Sequence, residues 1–321
     1  MPWDPTDRKA PEASDGMLIN IVHKQSSPMS EASKTQTDLF AALVHSAELG
    51  AVDQVLILLS QGVNPQSLGS LPLQRAARGG HVECVRLLIP VSDAKSHDSA
   101  ALSWAAQNGH AECVKLLLPV SDPKALESCA LCRAAREGHV DCAQLLLPVS
   151  EPMANNSEAL RFAAEHGHAE CVRLLIPVSQ PAALNFYALR WAASNGHADC
   201  VSLLIPVSDP MLLNSQPLRF AAGNGHADCA KLLIPVSGPL LQYPKILSEA
   251  LTLGHAEVAA ILIETEPLLL EGIDLSARRS SALAEGHVKM ADLLSSIIDR
   301  QVLSDGIPAF EAPARMRAAR L

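Results

Sequence analysis

Cysteine and histidine are the residues of this chain whose type and spacing could do chemistry. Cys129 and Cys132 form a C-x-x-C pair, a spacing found in zinc sites and in redox pairs. A zinc site needs two further ligands, and the nearest candidate, Cys142, belongs to a regular column of cysteines with a packing role. We therefore predict a structural role for the pair and no bound metal.

Six cysteines form this column, and each follows the previous one by 29 residues: Cys84, Cys113, Cys142, Cys171, Cys200 and Cys229. Stacked helices lie roughly 8–10 Å apart, whereas a disulfide needs Cα atoms less than about 7 Å apart. We expect buried, reduced thiols that take the place of aliphatic side chains. Such thiols indicate a reducing, cytoplasmic compartment.

Histidine recurs with the same period, within a Gly-His dipeptide. The dipeptides are Gly80-His81, Gly109-His110, Gly138-His139, Gly167-His168, Gly196-His197, Gly225-His226, Gly254-His255 and Gly286-His287. One histidine per repeat is too widely spaced to share an ion. Nucleophile-elbow, phosphate-loop and zinc-protease signatures are missing from the sequence. We therefore predict neither catalysis nor a bound metal or cofactor.

The spacing of apolar residues predicts two helices around each Gly-His turn. Leu102, Ala105 and Ala106 have helical spacing before the turn, and the segment 112–118 is amphipathic after it. A Pro-Val-Ser tripeptide ends the second helix. We expect serines to cap the first helices, namely Ser70, Ser99, Ser128, Ser157 and Ser215. Nine such repeats are predicted over residues 37–300.

The segment from Ser70 to His81, followed by Val85, Leu87 and Leu88, resembles the ankyrin repeat. The resemblance implies an all-α, ankyrin-type helical solenoid, in which the histidine ties each turn to its neighbour by hydrogen bonds. The family's usual period is about 33 residues. The roughly four residues missing here fall between the second helix and the next first helix, where the family has a projecting hairpin. Shortened loops are therefore expected.

Composition and charge limit the remaining possibilities. We predict a disordered segment over residues 1–36 and a flexible tail over residues 301–321. The net charge of −9 and pI near 5.7 disfavour nucleic acid as a partner. No apolar run is long enough for a bilayer span, and the N-terminus has no Sec-type signal.

One position varies between arginine and aromatic residues in otherwise similar repeats. Five residues before each glycine the chain has Arg75, Trp104, Arg133, Phe162, Trp191 and Phe220. We call these six residues the column. In an ankyrin stack they would lie on the inner helices near the concave face, and these residue types are enriched in binding hot spots. Alternatively, the rings pack between the helices with arginines stacked on them; the two interpretations are compatible.

Two further sets of residues complete the candidate surfaces. Neighbouring inner-helix positions that differ between repeats include Arg78, Gln107, Arg136 and Glu165. The connecting loops become apolar toward the C-terminus, which suggests a second surface made of Met211, Leu212, Leu213, Leu240, Leu241, Leu268, Leu269 and Leu270.

The predicted function is non-enzymatic: a recognition scaffold that binds a partner protein in its concave groove, without a small-molecule substrate, nucleic acid or membrane. A non-catalytic targeting subunit of an enzyme complex and a self-assembling structural solenoid are the alternatives. The near-identical short repeats also resemble ankyrin proteins of host-associated bacteria. That resemblance implies an effector that enters a host cell without a Sec signal.

Overall fold

The structure, a computed structural model, describes residues 31–238 and 243–305. Most of the segment predicted to be disordered, residues 1–30, and the tail from residue 306 lie outside these ranges. The first helix begins at Glu31, six residues before the predicted boundary, and the last ends at Asp305. Both boundaries were placed too far inward, because polar helix-forming residues extend each terminal helix beyond its last buried apolar residue.

Within the described residues the chain forms eighteen α-helices and no β-strand. They form nine consecutive pairs, which confirms the predicted helical solenoid. The first helices of the pairs are α1 (Glu31–Leu49), α3 (Ser67–Gly79), α5 (Ser96–Gln107), α7 (Ala125–Arg136), α9 (Ala154–Glu165), α11 (Ala183–Ser194), α13 (Leu212–Gly223), α15 (Tyr243–Leu253) and α17 (Leu275–Ala284). The second helices are α2 (Val52–Ser60), α4 (Val82–Leu88), α6 (Ala111–Leu117), α8 (Val140–Leu146), α10 (Ala169–Leu175), α12 (Ala198–Leu204), α14 (Ala227–Leu233), α16 (Ala256–Thr265) and α18 (Val288–Asp305).

One continuous aliphatic core runs through the stack. In a typical repeat, the first helix buries Leu102 and the Ala105-Ala106 pair, and the second helix buries Cys113 and Leu117. The small alanines let neighbouring first helices approach closely, and these helices contact each other more extensively than the second helices do. We infer that the stack curves toward the first helices, whose exposed side is the concave face.

The Gly-His turn links each repeat to the one before it. The ring Nε2 of His110 donates to the main-chain carbonyl of Arg78, at 3.0 Å, and His255 reaches Gly223 in the same way at 2.9 Å. These bonds confirm the linking role that the family resemblance implied. The glycine of the preceding turn leaves room for the ring: a Cβ at Gly225 would lie 2.7 Å from Nδ1 of His255.

The loop before six of the first helices contains three consecutive residues with left-handed backbone, such as Leu126, Glu127 and Ser128. This conformation costs roughly 1–2 kcal/mol for each non-glycine residue, so contacts elsewhere must offset it. The hydroxyl of Ser128 provides one, because it accepts the backbone N–H of Glu151 in the following loop, at 2.8 Å. The same bond is made by Ser70, Ser99 and Ser157.

The prediction that these serines cap their own helices was therefore wrong. No first helix that follows such a serine has a side-chain cap hydrogen bond. The left-handed backbone turns the hydroxyl away from its own helix and toward the adjacent loop. Ser215 donates to the carbonyl of Ser237, and in α11 the equivalent residue is Phe186, which has no hydroxyl.

The connecting loops are short, as the period of 29 residues indicated. After α4 the chain makes one 3-10 turn, Ile89–Val91, around Pro90, and passes directly into the left-handed segment. The hairpin fingers of longer repeats are replaced by these turns throughout the described residues. None of the helices in residues 31–238 and 243–305 has the length and apolar character that crossing a bilayer requires.

The six column cysteines are buried and free. Burial, followed by the neighbouring carboxylate, raises the pKa of Cys113, Cys142, Cys171 and Cys229 to about 11 and that of Cys200 to about 12. In the C-x-x-C pair, Cys132 is buried and Cys129 is half-buried, with Nε of Arg133 donating to its sulfur at 3.1 Å. Among the described residues, no His, Cys, Asp and Glu side chains are grouped to hold a metal ion.

We predict that Gly225→Ala destabilises the fold by roughly 1–3 kcal/mol, because the alanine must keep a φ of +78° and displace the His255 ring. Thermal unfolding followed by circular dichroism measures the effect. Gly223→Ala is the matched control in the same turn, since nothing lies within 4 Å of its Cβ, and it should be neutral or stabilising by up to about 1 kcal/mol. Equal midpoints for the two variants would contradict the role assigned to the ring.

We also predict that alkylation of the folded protein at about pH 8 modifies Cys129 first. The column thiols stay protonated well above this pH because burial raises their pKa, and the thiolate is the reactive form. Mass spectrometry after treatment with N-ethylmaleimide, with and without urea, should show one modified cysteine in the native protein and eight in the unfolded chain. Native labelling of Cys171 as fast as that of Cys129 would be the opposite result.

Candidate protein-binding groove

The column residues lie on six successive first helices, α3 to α13, and all six are half-buried. Each precedes a fully buried Ala-Ala pair or its equivalent, so its helix places it at the edge of the core beside the concave face. The column is therefore neither a set of buried core residues nor a set of free surface residues.

Trp104 is the centre of the N-terminal half of the column. The Arg78 guanidinium carbon lies 5.3 Å from the ring centroid, and that of Arg133, in the next repeat, lies 4.9 Å from it. Nη1 of Arg133 also donates to Oε1 of Gln107 at 2.7 Å. One indole is thus flanked by two cations from the adjacent repeats, which are attracted by its quadrupole.

The same arrangement occurs again two repeats later. The Arg136 guanidinium carbon lies 5.7 Å from the Phe162 ring centroid, so Arg136 is to Phe162 what Arg78 is to Trp104. Arg78 and Arg136 are both exposed. Each ring is in the repeat after its arginine, so the contact exists only because the repeats stack in this register.

Arg75 is the column residue least available to a ligand. Its Nη1 lies 3.2 Å from Oε1 of Glu48 on α1, and its side chain is only 11% exposed. The pair neutralises the guanidinium and joins the first two repeats. The sequence analysis grouped Arg75 with the binding residues, and the structure gives it a packing and pairing role.

Tyr187 is a groove residue that the sequence analysis missed. Its ring centroid lies 5.5 Å from that of Trp191, and the guanidinium carbons of Arg161 and Arg190 lie 5.1 and 5.9 Å from the Tyr187 centroid. Its hydroxyl donates to Oε2 of Glu165 at 3.2 Å. Burial and this carboxylate raise the pKa of Tyr187 to about 12. The signal was present, since Tyr187 precedes Trp191 by one helical turn.

A cavity of about 500 Å³ opens between the Phe162 and Tyr187 rings, and Arg136 and Glu165 also line it. Arg161 lies at its wall, almost fully buried, and donates from Nε and Nη2 to the carbonyls of Asn156 and Asn155 at 3.1 and 2.9 Å. Its charge is therefore held within the protein, whereas that of Arg136 faces the groove.

The structure thus divides the column into two clusters. One surrounds Trp104 and includes Arg78, Arg133 and Gln107; the other joins Phe162, Arg136, Glu165, Tyr187 and Trp191 through rings, arginines and the shared cavity. Phe220 lies farther along, half-buried, and makes no ring contact with another described aromatic residue.

The second predicted surface is only partly apolar and exposed. Met211, Leu213 and Leu268 are exposed, whereas Leu269 is buried and Leu270 is half-buried. Leu240, Leu241 and the side chain of Leu212 lie outside what the structure describes. The loop surface therefore lacks the continuous ring and guanidinium contacts of the groove.

Comparison with known proteins agrees with this architecture. A family model described as ankyrin repeats (3 copies) matches residues 39–125, 102–185, 131–210 and 180–241, which together exceed half of the chain. The crystal structure of the human ASB11 ankyrin repeat domain superposes with a TM-score of 0.55 at 22% identity, over 61% of this chain and 98% of that one. No curated protein matches the sequence. From its repeats, its helical stack and these matches, the chain belongs to the ankyrin-repeat family.

Proposed function

We propose that this protein is a non-enzymatic recognition scaffold whose concave groove binds a partner protein. Ankyrin repeats are in general protein–protein interaction modules without catalytic activity, and the chain belongs to that family. The observation that carries the assignment to the groove is the continuous set of half-buried rings with arginines stacked on them, from Trp104 to Trp191.

The packing and binding interpretations of the column support each other. Stacked arginines and a half-buried edge reduce the conformational freedom of each ring before any partner arrives. Preorganised side chains bind more tightly because less entropy is lost on association. Aromatic residues and arginine are also the types in which hot spots are enriched. Trp104 and Trp191, one in each cluster, are the residues on which we expect affinity to depend most.

We predict that Trp104→Ala combined with Trp191→Ala weakens partner binding by about 30-fold or more, since truncating a hot-spot residue costs about 2 kcal/mol or more. Phe162 stays unchanged because it packs against the core. Affinity capture on the wild-type chain identifies partners, and titration with each purified partner measures the loss. Val91→Ala combined with Val149→Ala is the control, because both valines are 41% exposed in the connecting loops.

Full retention of every captured partner by the folded tryptophan variant would contradict the groove assignment. Circular dichroism verifies that the variant keeps its helical content, so that a loss of binding is not a loss of fold. If the valine variant loses the partners instead, the loops are the binding surface.

We further propose a reducing, cytoplasmic environment and a role as an effector delivered into a host cell. The eight free cysteines support the first part. The effector role is supported by the resemblance of the short, near-identical repeats to ankyrin proteins of host-associated bacteria.

We predict that residues 1–40 fused to a reporter direct its export through a specialised secretion system. This stretch is polar, with acidic residues, serines and only one short apolar run, so it does not read as a Sec signal. Reporter activity inside host cells is the measurement, with a strain that lacks the secretion system as the control. Retention of the reporter in the producing cell would contradict the effector role and leave the binding function unaffected.

A further inference from the structure

We propose that the N-terminal half of the groove, around Arg78, Trp104, Arg133, Arg136 and Phe162, binds an extended acidic segment of the partner. The segment carries two Asp or Glu side chains about six residues apart, which pair with Arg78 and Arg136. This inference rests on the proposed function, because it assigns a chemistry to the partner of the same groove.

Charge is distributed unevenly between the two sides of the stack. From α3 to α13 the first helices contain seven arginines, no lysine and four carboxylates, a net charge of +3. The second helices between them and α14, namely α4 to α14, contain four basic and six acidic residues, a net charge of −2. In a chain of net charge −9, the groove side is locally positive, and complementary charge would favour an acidic partner.

Most of the groove arginines are already occupied by groups of this chain. Arg75 pairs with Glu48, and Arg133 donates to Gln107 and Cys129. Arg161 donates to the backbone carbonyls of Asn155 and Asn156. These guanidinium groups have few donors left for a ligand, so their main effect is structural.

Arg78 and Arg136 are the exceptions. Arg78 contacts the Trp104 ring and has no ion pair or side-chain hydrogen bond to another described residue. The nearest carboxylate oxygen to Arg136 is that of Glu137, 3.9 Å from Nε, at the limit of an ion pair. Both side chains are exposed. The ring holds the face of each guanidinium, which leaves its N–H groups free to donate two parallel hydrogen bonds to a carboxylate.

The spacing of the two arginines defines the ligand. They occupy equivalent positions two repeats apart, on α3 and α7. With packed helices roughly 8–10 Å apart, this separation is about 16–20 Å. An extended peptide advances about 3.3 Å per residue and presents alternate side chains on one face. Two carboxylates about six residues apart therefore match the arginines, with Trp104 and Arg133 beneath the intervening residues.

The positive region is too local for a polyanion such as nucleic acid. Beyond Phe162 the groove contains Glu158 and Glu165, and Arg190 donates to Gln216 and to the Leu184 carbonyl. The acidic second helices also repel a long phosphate backbone. A short peptide segment with few charges fits the observed extent of the site.

The test is selection of random peptides of about twelve residues, displayed on phage, against the full chain; this length spans both arginines. We expect the selected peptides to be rich in Asp and Glu, with two acids about six residues apart. Replacing these two acids by Asn or Gln in the synthetic peptide should abolish binding. Affinity should also fall as ionic strength rises.

The protein variants separate this inference from the proposed function. Arg78→Gln combined with Arg136→Gln should weaken the peptide by about tenfold for each arginine. Arg86→Gln combined with Arg173→Gln removes the same charge from exposed sites on the second helices, where each arginine pairs with a glutamate at 3.4 Å, and should leave affinity nearly unchanged.

Several results would overturn the acidic-peptide inference. Selection of neutral peptides, failure to select any peptide, or equal losses in the two double variants each contradict it. Neutral peptides whose binding is lost with Trp104→Ala and Trp191→Ala would overturn the acidic specificity and still support the groove. Peptides unaffected by all of these groove variants would contradict the inference and the proposed function together.

Discussion

The hydrogen bond from each turn histidine to a main-chain carbonyl of the preceding repeat is the interaction on which the rest of the structure depends. His110 reaches Arg78, and His197 reaches Glu165, both 32 residues earlier in the chain. The bond satisfies a carbonyl at the end of a first helix and fixes the spacing between neighbours. It is possible only because glycine in the adjacent turn has no Cβ to occupy the space of the ring. Since every repeat uses the same bond, equivalent positions align along the stack.

This alignment gives the column its dual character. Trp104 is half-buried against its own repeat while arginines from the repeats before and after lie on its ring. The contacts stabilise the stack and also hold the guanidinium groups in place. A surface built from such contacts is rigid where it meets a partner, because the side chains that would bind are already ordered by packing. Arg75 shows the limit of this arrangement, since its ion pair with Glu48 contributes only to the stack.

The shortened loops have a second set of links between repeats. A left-handed turn takes the place of a longer hairpin, and the serine at its end bonds to the following loop, as Ser99 does to the backbone of Asp122 at 2.8 Å. Left-handed backbone is unfavourable for residues with a Cβ, so the repeated serine bond helps to explain why the turn persists. With no projecting fingers in the described loops, the first helices and their arginines are directly accessible from the groove side.

The sequence by itself determined the repeat, the helix pairs and the buried cysteine and alanine positions. These features follow from residue type and spacing within about one repeat, where helical periodicity and turn chemistry act locally. It also located the column, Arg78 and Arg136. Only the tertiary structure decided which of these residues contact each other. The serine bonds, the Arg75–Glu48 pair, the position of Arg78 over Trp104 and the place of Tyr187 beside Glu165 all join residues 22 to 27 positions apart. Such contacts depend on the register between stacked repeats and on the direction of each side chain, and neither is encoded in the pattern of a single repeat.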